Sequence, residues 1–388
     1  MAVVDEPGNI VTAGRPGGIL HVLPSFAIGG VPIRLVDVIN HIGAQFRHTI
    51  IALDNNFEAA SRFDEGVDVS LLQAGRPGQG MLRAALTAAL ILRRLRPGLL
   101  LTSNWGAIEW AIANRLWPVT PHIHLEDGFG VEEADQQIRR RVLCRRWALT
   151  GCAQLIVPSR RLQETAVKEW RLPPHKVTYL PNGIDVTRFV TPSRDEIAGL
   201  VRQPDELIIG TVAPLRPEKN LGRLLRVFKR INVGKRVRLV IAGDGSQRKA
   251  LARLADELGI ADRVVFAGRV KPEAILDLFD VFTLSSDTEQ MPIALLEAMA
   301  ASRAVAAVDV GDVKWMVCEE NRDLIVARDD PEAFAAAITH LLLDSQRRER
   351  LGRQNRDRVI ATFPHKRMLA GYCEIFSNAV GSLRGDSS

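Results

Sequence analysis

Short apolar runs alternate with helix-like stretches along this chain, and no other feature of the sequence restricts its fold as strongly. In the first half, runs that suit buried strands lie at 19–23, 48–53, 67–72, 99–102, 122–125, 155–157 and 177–180. Stretches with helical spacing separate most of them, notably 81–95, 107–116 and 136–149. Strands that alternate with helices in this way predict a parallel, doubly wound sheet.

The alternation starts again near residue 207, which predicts a second sheet. Further strand-like runs lie at 207–212, 237–242, 264–267, 281–284 and 304–307, and the tail over 331–383 is helical in pattern. At 388 residues the chain also exceeds the size at which a single core usually stops growing. We therefore expect an α/β protein with domains over 1–190 and 206–363, a linker over 191–205, and a C-terminal helix over 364–388 that returns to the first domain.

The composition is that of an ordinary globular protein. Hydrophobic residues make up 46% and charged residues 25%, and no apolar run approaches the roughly 20 residues needed to cross a bilayer. The start of the chain lacks the apolar core of an export signal. The cysteines show neither zinc-site nor disulfide spacing, at 144, 152, 318 and 373. We expect a cytoplasmic protein.

The stretch 285–300 joins a strand-like run to a helix through a polar loop, with Pro292 in the first turn of the helix. Ligands of open α/β sheets bind at the carboxyl ends of strands, and helix amino ends attract phosphate. Glu289 and Glu297 frame this turn. A carboxylate accepts paired hydrogen bonds from the vicinal hydroxyls of a ribose or a sugar ring. Taken alone, Glu297 fits a structural or solvated helix residue better.

This stretch resembles the nucleotide-sugar loop of glycosyltransferase family 4, whose members have the GT-B fold, with two Rossmann-like doubly wound domains facing a cleft. In that family a first glutamate contacts the donor sugar, and a second, eight positions on, binds the donor ribose. Glu289, Pro292 and Glu297 match this pattern. The resemblance also implies donor contacts from the residues between the glutamates, namely Gln290, Met291, Pro292 and Ile293.

A lysine-bearing loop opens the second domain, after the run 207–212. Lysine can reach phosphates as a mobile point charge, although surface lysines are abundant. Lys219 matches the donor-diphosphate lysine of the family in its Pro-Glu-Lys-Asn setting. The family normally places Gly-Arg-Leu before it, whereas this chain has Ala-Pro-Leu at 213–215. The usual diphosphate arginine is therefore absent from its place, and Arg216 is the candidate substitute.

Gly29 and Gly30 form a glycine pair at the first strand-to-helix turn. Two glycines allow a ligand to approach the backbone closely, but many such turns exist for geometry alone. A similar pair in family 4 faces the donor diphosphate and the acceptor, which makes both glycines candidate binding residues here. Arg34, one turn later, could meet a phosphate from the same helix.

Two other segments carry the resemblance. Gly268, Arg269 and Val270 follow a strand-like run and resemble the backbone segment that holds the nucleotide base in the family. Pro-Asn-Gly at 181–183 is a turn sequence, and the same motif closes the first domain in the family. The resemblance thus assigns the acceptor to the first domain and the nucleotide sugar to the second.

The stretch 122–130 departs from the family pattern. Alternation puts His122, His124 and Glu126 on one strand face, which suggests a metal site, but no further ligand cluster supports one. Many family members read His-x-Glu-His-Gly here, with the second histidine near the donor sugar, and this chain has Asp127 instead. Asp127 could accept hydrogen bonds from hydroxyls, act as a base toward the acceptor, or merely turn the chain.

The sequence also lacks an Asp-x-Asp triplet, the usual way in which metal-dependent nucleotide-sugar enzymes hold a divalent cation. We therefore expect neither a metal nor another cofactor. The donor phosphates would be neutralised by Lys219, nearby arginines and helix ends.

A basic segment follows the aspartate, with no acidic residue over 136–163 and seven arginines in that window. Apolar residues interleave at helical spacing and predict an amphipathic basic helix over 138–147, at Ile138, Val142, Leu143 and Trp147. Such a helix is either a solvated face or a surface that attracts anionic lipid headgroups or a negatively charged acceptor. We expect no nucleic-acid partner, because stacking aromatics and known motifs are missing.

Together, these features predict a retaining glycosyltransferase that moves a sugar from a nucleotide-sugar donor to a glycan or lipid acceptor. Asp127, Lys219 and Glu289 are the candidate catalytic residues. The protein is expected in the cytoplasm, at the inner face of the membrane if the basic helix binds lipid. Two alternatives remain open: a nucleotide-sugar epimerase or hydrolase of the same fold, and a non-catalytic sugar-nucleotide-binding protein.

Overall fold

The structure is a computed structural model, and it describes residues 2–4, 18–73, 80–190, 200 and 202–385. The chain divides into two compact units. Unit 1 takes in the described residues of Met1–Phe129, Gln137–Pro181 and Arg367–Ser388, and unit 2 those of Gly130–Gln136 and Asn182–Lys366. The predicted linker over 191–205 lies largely outside the described residues. The predicted domain boundaries stay predictions.

Unit 1 contains a parallel sheet of eight strands in the described residues. They are β1 (Ala2–Val4), β2 (Ile19–Leu23), β3 (His48–Ala52), β4 (Val69–Gln73), β5 (Leu99–Ser103), β6 (His122–Leu125), β7 (Gln154–Val157) and β8 (Val177–Tyr179). Their order is β1-β4-β3-β2-β5-β6-β7-β8, and every neighbouring pair is parallel. The chain winds in opposite directions from β2 and β5, so their boundary is the switch point of this sheet.

Helices cover both faces of this sheet. They are α1 (Gly30–Ile42), α2 (Met81–Leu95), α3 (Ile108–Leu116), α4 (Arg139–Leu149) and α5 (Arg160–Lys168). Ile19 packs in one core cluster with Val38 of α1, while its neighbour Leu20 packs in another with Leu92 of α2. Because successive strand residues point to opposite faces, α1 and α2 lie on opposite sides of the sheet.

Unit 2 contains a second parallel sheet. Its described strands are β9 (Leu207–Val212), β10 (Val237–Ala242), β11 (Val264–Gly268), β12 (Val281–Leu284), β13 (Ala304–Val308) and β14 (Ile325–Val326). They lie in the order β11-β10-β9-β12-β13-β14, again with parallel neighbours. The switch point of this sheet falls between β9 and β12. Most of these strands are buried along their length, which explains their continuous apolar sequences.

The remaining helices complete the architecture. They are α6 (Leu221–Arg230), α7 (Arg248–Glu257), α8 (Pro272–Ile275), α9 (Ile293–Ala300), α10 (Val313–Met316), α11 (Pro331–Leu343), α12 (Ser345–Thr362) and α13 (His365–Gly385). The last helix belongs mainly to unit 1. Its apolar stripe is buried in the same core cluster as Ile19 and Val38, and comprises Met368, Leu369, Tyr372 and Phe376.

The basic segment forms α4, and one of its predicted apolar residues, Val142, packs against a core cluster. Leu143 and Trp147 are exposed, whereas Arg145 is completely buried. Burial of this guanidinium is compensated by Glu126, whose Oε2 lies 3.3 Å from Arg145 Nε. Three aromatic rings, of Trp105, Phe129 and Trp170, also lie within 5.2 Å of the guanidinium carbon. The predicted helix is therefore present, but Arg145 does not belong to its exposed basic surface.

A few element boundaries also differ from the sequence-based prediction. Gly29 and Gly30 were both expected in the turn before the first helix, but α1 already begins at Gly30. The short strands β1 and β14 were not predicted, since three and two residues give too little periodicity to detect. Among the described residues, no helix combines the length and apolar character required to span a membrane.

Candidate functional site

The switch point of unit 2 brings together the two loops that the sequence analysis singled out. One loop follows β9 and carries Lys219 in a single 3₁₀ turn, Pro217–Lys219. The other follows β12 and carries Glu289 ahead of α9. Because β9 and β12 are neighbouring parallel strands, both loops leave the same edge of the sheet side by side. This edge is where open α/β sheets bind their ligands.

An ion pair joins the two loops. The ammonium Nζ of Lys219 lies 2.6 Å from Oε1 of Glu289, and both side chains are partly accessible, at 18% and 12%. The hydroxyl of Ser286 donates to the same carboxylate oxygen over 2.7 Å. A lysine ammonium has three donors and a carboxylate has about four acceptor sites, so both groups keep capacity for a ligand.

A second set of polar contacts fixes the loop after β12. Arg223 donates to the backbone carbonyl of Ser285 over 2.7 Å and to Asp287 over 2.6 Å. The side chain of Asn220 also donates to both carboxylate oxygens of Asp287 over 3.0 Å, while its amide oxygen caps α6. Sequence reasoning missed Arg223 and Asp287, because nothing in a local pattern connects residues more than 60 positions apart.

Backbone packing fixes the same loop at its far end. Gly311 has a φ of +55°, and a Cβ built on it would lie 2.3 Å from the carbonyl oxygen of Glu289. The amide of Asp312 donates to the carbonyl of Gln290 over 2.8 Å. Only glycine combines that φ with so close an approach, so Gly311 is required for the position of residues 289–290.

The Pro-Asn-Gly turn ends on this loop as well. The side-chain amide of Asn182 donates to the carbonyl of Met291 over 2.9 Å, and both residues are buried. The backbone amide of Asn182 also lies 3.2 Å from the Met291 sulfur. This turn therefore anchors the middle of the predicted donor loop, a role that its sequence alone did not indicate.

Glu297 lies on α9, just beyond Pro292 and Ile293, and faces a different set of charges from Glu289. It is almost completely buried, and burial raises its pKa to about 7. Arg188 opposes that rise and Glu273 adds to it. Arg188 and Glu273 form an ion pair of 2.9 Å with each other. Glu297 is therefore poised to titrate near neutral pH, and Arg188 is a neighbour that the sequence did not predict.

The other predicted donor residues occupy neighbouring strand ends. Gly268, with a φ of +70°, ends β11, and its carbonyl accepts from the amide of Gly243 over 2.7 Å. Val270 is half-buried and Arg269 is exposed. Arg216 is also exposed, immediately before the turn that carries Lys219.

Unit 1 has its own polar constellation near its switch point. Gly29 and Gly30 are exposed where α1 begins, and Arg34 lies one turn inside that helix. The guanidinium of Arg34 donates both terminal nitrogens to the carboxylate of Asp127, over 2.6 and 2.8 Å. Asp127 is also bound by the loop after β5, since its backbone amide donates to Asn104 Oδ1 over 2.7 Å.

The Arg34–Asp127 pair is buried, with side-chain exposures of only 6% and 9%. The guanidinium carbon of Arg34 lies 5.8 Å from the ring centroid of Tyr372 on α13. Burial lowers the pKa of Arg34, but the charge of Asp127 and the contact with Tyr372 outweigh it, so the pKa is raised above its ordinary value. A small cavity lies beside the pair, lined in part by His21 and Ser103.

The histidines of β6 share hydrogen bonds with a threonine of β5. The hydroxyl of Thr102 lies 2.7 Å from His122 Nε2 and 2.6 Å from His124 Nδ1. Burial lowers the pKa of His122 to about 3, so its ring is neutral at physiological pH. Within the ranges that the structure describes, no group of three His, Cys, Asp or Glu side chains is placed to hold a metal ion.

Comparison with known proteins agrees with this architecture. Residues 28–188 match the family described as Glycosyltransferase Family 4, and residues 193–358 match that described as Glycosyl transferases group 1. The D-inositol 3-phosphate glycosyltransferase of Stackebrandtia nassauensis is 30% identical over 327 residues, which cover 74% of this chain and 72% of that protein. Matches to curated relatives cover between 42% and 76% of the relative's length, and 51% of the uncharacterized glycosyltransferase from Methanocaldococcus jannaschii.

Solved structures share the fold at low sequence identity. Sucrose-phosphate synthase from Thermosynechococcus elongatus is 19% identical with a TM-score of 0.79, covering 94% of this chain and all of that one. Anabaena HepE, solved with UDP and glucose, is 16% identical with a TM-score of 0.78, covering 93% of this chain and all of that one.

Two parallel-sheet α/β domains, each with a switch point, together with these neighbours define the GT-B fold. The family matches and the S. nassauensis relative show that a chain with this fold is here a glycosyltransferase. The match to the S. nassauensis relative and the two family matches then place the chain within that class. It belongs to glycosyltransferase family 4.

Proposed function

We propose that this enzyme transfers a sugar from a nucleoside-diphosphate sugar to a hydroxyl of a glycan or lipid acceptor, with retention of the anomeric configuration. The observation that carries the proposal is the pairing of Lys219 with Glu289 over 2.6 Å at the switch point of unit 2. One cationic and one anionic group at that place match the two chemically distinct ends of such a donor, a diphosphate and a sugar ring.

Lys219 is proposed to stabilise the departing nucleoside diphosphate. Negative charge grows on the bridging oxygen as the sugar leaves, and a preplaced ammonium group lowers the energy of that charge. The amino ends of α6 and α9 follow the same two loops and add partial positive charge. Arg216 directly precedes the turn that carries Lys219, and we propose that it contributes a second positive charge.

Glu289 and Glu297 are proposed to bind hydroxyls of the donor. Glu289 keeps free lone pairs besides those used by Lys219 and Ser286, and these can accept from the sugar ring. The loop residues Gln290, Met291 and Pro292 connect it to α9 and are held by Gly311 and Asn182. Glu297 is the proposed ribose ligand, as the family resemblance implies.

Asp127 is proposed to accept hydrogen bonds from sugar or acceptor hydroxyls instead of acting as a base. Its two oxygens each bind one nitrogen of a buried Arg34, and protonation would remove the charge that this guanidinium requires. The remaining lone pairs can still accept from a ligand. Turnover with the true acceptor should fall on Asp127→Asn, and unchanged turnover would exclude this role.

We further propose that catalysis needs neither a metal nor another cofactor, because Lys219 and helix amino ends supply the required positive charge. Turnover is then expected to survive dialysis against a chelator. A loss of turnover that Mg²⁺ or Mn²⁺ restores would overturn this part of the proposal.

Product analysis tests the reaction itself. The purified enzyme is incubated with UDP-glucose first, since a structural neighbour was solved with UDP and glucose, and then with other nucleotide sugars and a panel of acceptors. The expected result is a glycosylated acceptor whose anomeric configuration, read by NMR, equals that of the donor. Donor isomerisation or hydrolysis without transfer would favour an epimerase or hydrolase. Binding without any conversion would indicate a non-catalytic protein.

A matched pair of variants connects that reaction to the proposed site. Lys219→Met removes the paired ammonium, while Lys229→Met removes an exposed ammonium from α6 of the same unit. Only Lys219→Met should lower the rate of transfer, by about 10²–10³-fold. Equal activity of both variants would mean that the reaction takes place elsewhere.

A further inference from the structure

Helix α2 of unit 1 carries a row of leucines on its outer side. Leu82, Leu86 and Leu90 are 73%, 45% and 67% exposed, although leucine usually packs inside. Their spacing of four residues places them in one row about 12 Å long on the helix. The opposite side of α2 already packs against the sheet, where Ala88 and Leu92 are buried. The packing of unit 1 therefore does not require these three leucines.

A second apolar pair lies on the same side of the sheet. Helix α3 packs against both α2 and α4, so these three helices form one layer. On α4, Leu143 and Trp147 are four residues apart and exposed. The guanidinium carbon of Arg115, at the end of α3, lies 6.0 Å from the Trp147 ring centroid, so a basic side chain of α3 borders this apolar pair.

Positive charge surrounds these apolar side chains. The sequence contains no Asp or Glu between Asp68 and Glu109, a stretch that includes the whole of α2. Exposed arginines on α2 and α4 complete the surface, namely Arg83, Arg93, Arg94, Arg139, Arg140 and Arg146. Leucine and tryptophan bordered by arginine are typical of a helix that lies in the interface of an anionic membrane.

We propose that the α2–α4 face, defined as Leu82, Leu86, Leu90, Leu143 and Trp147 with the arginines around them, docks on an anionic lipid bilayer. The leucines of α2 enter the boundary between headgroups and acyl chains, and the arginines contact the lipid phosphates. A second copy of the chain fits less well, because two such faces would bring arginines against arginines without a carboxylate on α2 to pair them.

This surface differs from the one that the sequence predicted. The sequence suggested the basic segment 138–147 as either a solvated face or a surface for lipid headgroups or an anionic acceptor, but Arg145 of that segment is buried against Glu126. The proposed lipid-binding surface includes the outer side of α4 and also α2, whose row of exposed apolar side chains is longer. The biological use of the face, as access to a membrane-bound acceptor, rests on the proposed function. The binding itself does not.

Vesicle flotation without any donor or acceptor tests the proposal. Wild-type protein is mixed with vesicles of phosphatidylcholine alone or with about one-third phosphatidylglycerol. Binding should require the anionic lipid and should weaken with salt, since each arginine near such a surface strengthens binding by about fivefold. The triple variant Leu82→Ser, Leu86→Ser, Leu90→Ser should lose about a hundredfold or more in partitioning, because each leucine in the lipid boundary strengthens binding by about fivefold or more.

Matched controls come from exposed positions in unit 2. Leu343→Ser removes an exposed leucine from α11, and Arg253→Glu reverses an exposed charge on α7. Both should bind vesicles like wild type, whereas Arg83→Glu should bind severalfold less. Circular dichroism must show that all variants are folded.

Three results would overturn the proposal. The first is wild-type protein that ignores anionic vesicles. The second is binding that survives both the leucine and the Arg83 substitutions. The third is self-association in sedimentation experiments that the triple variant abolishes, which would make the face a dimer interface. If the proposed glycosyl transfer is wrong but the membrane proposal is right, the protein will bind vesicles normally and form no product.

Discussion

The two units each hold an ion pair close to the switch point of their sheet, and the two pairs differ in construction. Arg34 and Asp127 in unit 1 share two hydrogen bonds of 2.6 and 2.8 Å and are 6% and 9% exposed. Lys219 and Glu289 in unit 2 share one contact of 2.6 Å and are 18% and 12% exposed. In the first pair, the guanidinium of Arg34 also lies over the ring of Tyr372.

This difference indicates different uses for the two pairs. A bidentate, buried pair is hard to open, because either charge alone would be left desolvated. A lysine that binds one carboxylate oxygen through one of its three donors can take a phosphate oxygen without leaving its partner. We infer that Arg34–Asp127 primarily fixes structure around its site, and that Lys219–Glu289 primarily exchanges with the ligand.

Removal of Arg34 should therefore have the largest effect on stability. Arg34→Met leaves the carboxylate of Asp127 buried without its partner and should lower the free energy of unfolding by about 3–5 kcal/mol. Urea unfolding measures this value. The double variant Arg34→Met, Asp127→Asn should recover much of the loss, since no unpaired charge remains. A loss below about 1 kcal/mol in the single variant would show that the pair resembles an exposed salt bridge.

Removal of Lys219 should have the largest effect on turnover with little change in stability. Lys219→Met should lower kcat about 10²–10³-fold, as loss of one electrostatic stabiliser of a developing anion does elsewhere. Its free energy of unfolding should stay within about 1 kcal/mol of wild type, because the pair is partly solvated. Steady-state kinetics and urea unfolding on the same preparation check both values. Lys229→Met is the control for kinetics.

The buried carboxyl of Glu297 should make stability depend on pH. Its pKa is about 7 in the folded protein and 4.5 in the unfolded chain, so the folded state holds the proton more tightly. The contribution of Glu297 to the free energy of unfolding should therefore be largest below pH 4.5. It should fall as the pH rises from 4.5 to 7, by about 3 kcal/mol in total.

Glu297→Gln removes that titration and should flatten the pH dependence between pH 5 and 8, so that the variant unfolds at a higher temperature than wild type at pH 8. The same variant should bind nucleoside diphosphates more weakly if Glu297 holds the ribose. Identical pH profiles of the melting temperature for variant and wild type would contradict the assignment.

The contact between Tyr372 and Arg34 should give the smallest effect. Tyr372→Leu removes the ring next to the guanidinium, and Tyr372→Phe keeps it. The leucine variant should be about 1 kcal/mol less stable than the phenylalanine variant, in addition to any loss from altered packing. Equal stability of the two variants in urea would show that the ring face contributes nothing to the pair.

The alternation of strands and helices could be predicted from the sequence because most strands are buried on both faces and therefore read as continuous apolar runs. The loop 285–292 and Lys219 were also predictable, since each follows such a run and matches a family motif. The short strands β1 and β14 were not, because a run of two or three residues carries no period.

Partners across the chain could not be predicted for a physical reason. Arg34 and Asp127 are 93 positions apart, and only the order of the strands brings α1 beside the end of β6. The sequence therefore suggested a phosphate for Arg34. For Asp127 it left open sugar or acceptor hydroxyls, a base toward the acceptor, or a turn of the chain, without indicating that the two residues bind each other. Burial of Arg145 depends in the same way on three aromatic rings from separate segments.

The most direct test is a crystal structure of the enzyme with a nucleoside diphosphate. The account predicts diphosphate oxygens within hydrogen-bonding distance of Lys219 Nζ, and a ribose whose hydroxyls reach Glu297, with the Arg34–Asp127 pair unchanged. A nucleotide bound away from the switch point of unit 2, with Lys219 and Glu289 still paired only to each other, would contradict it.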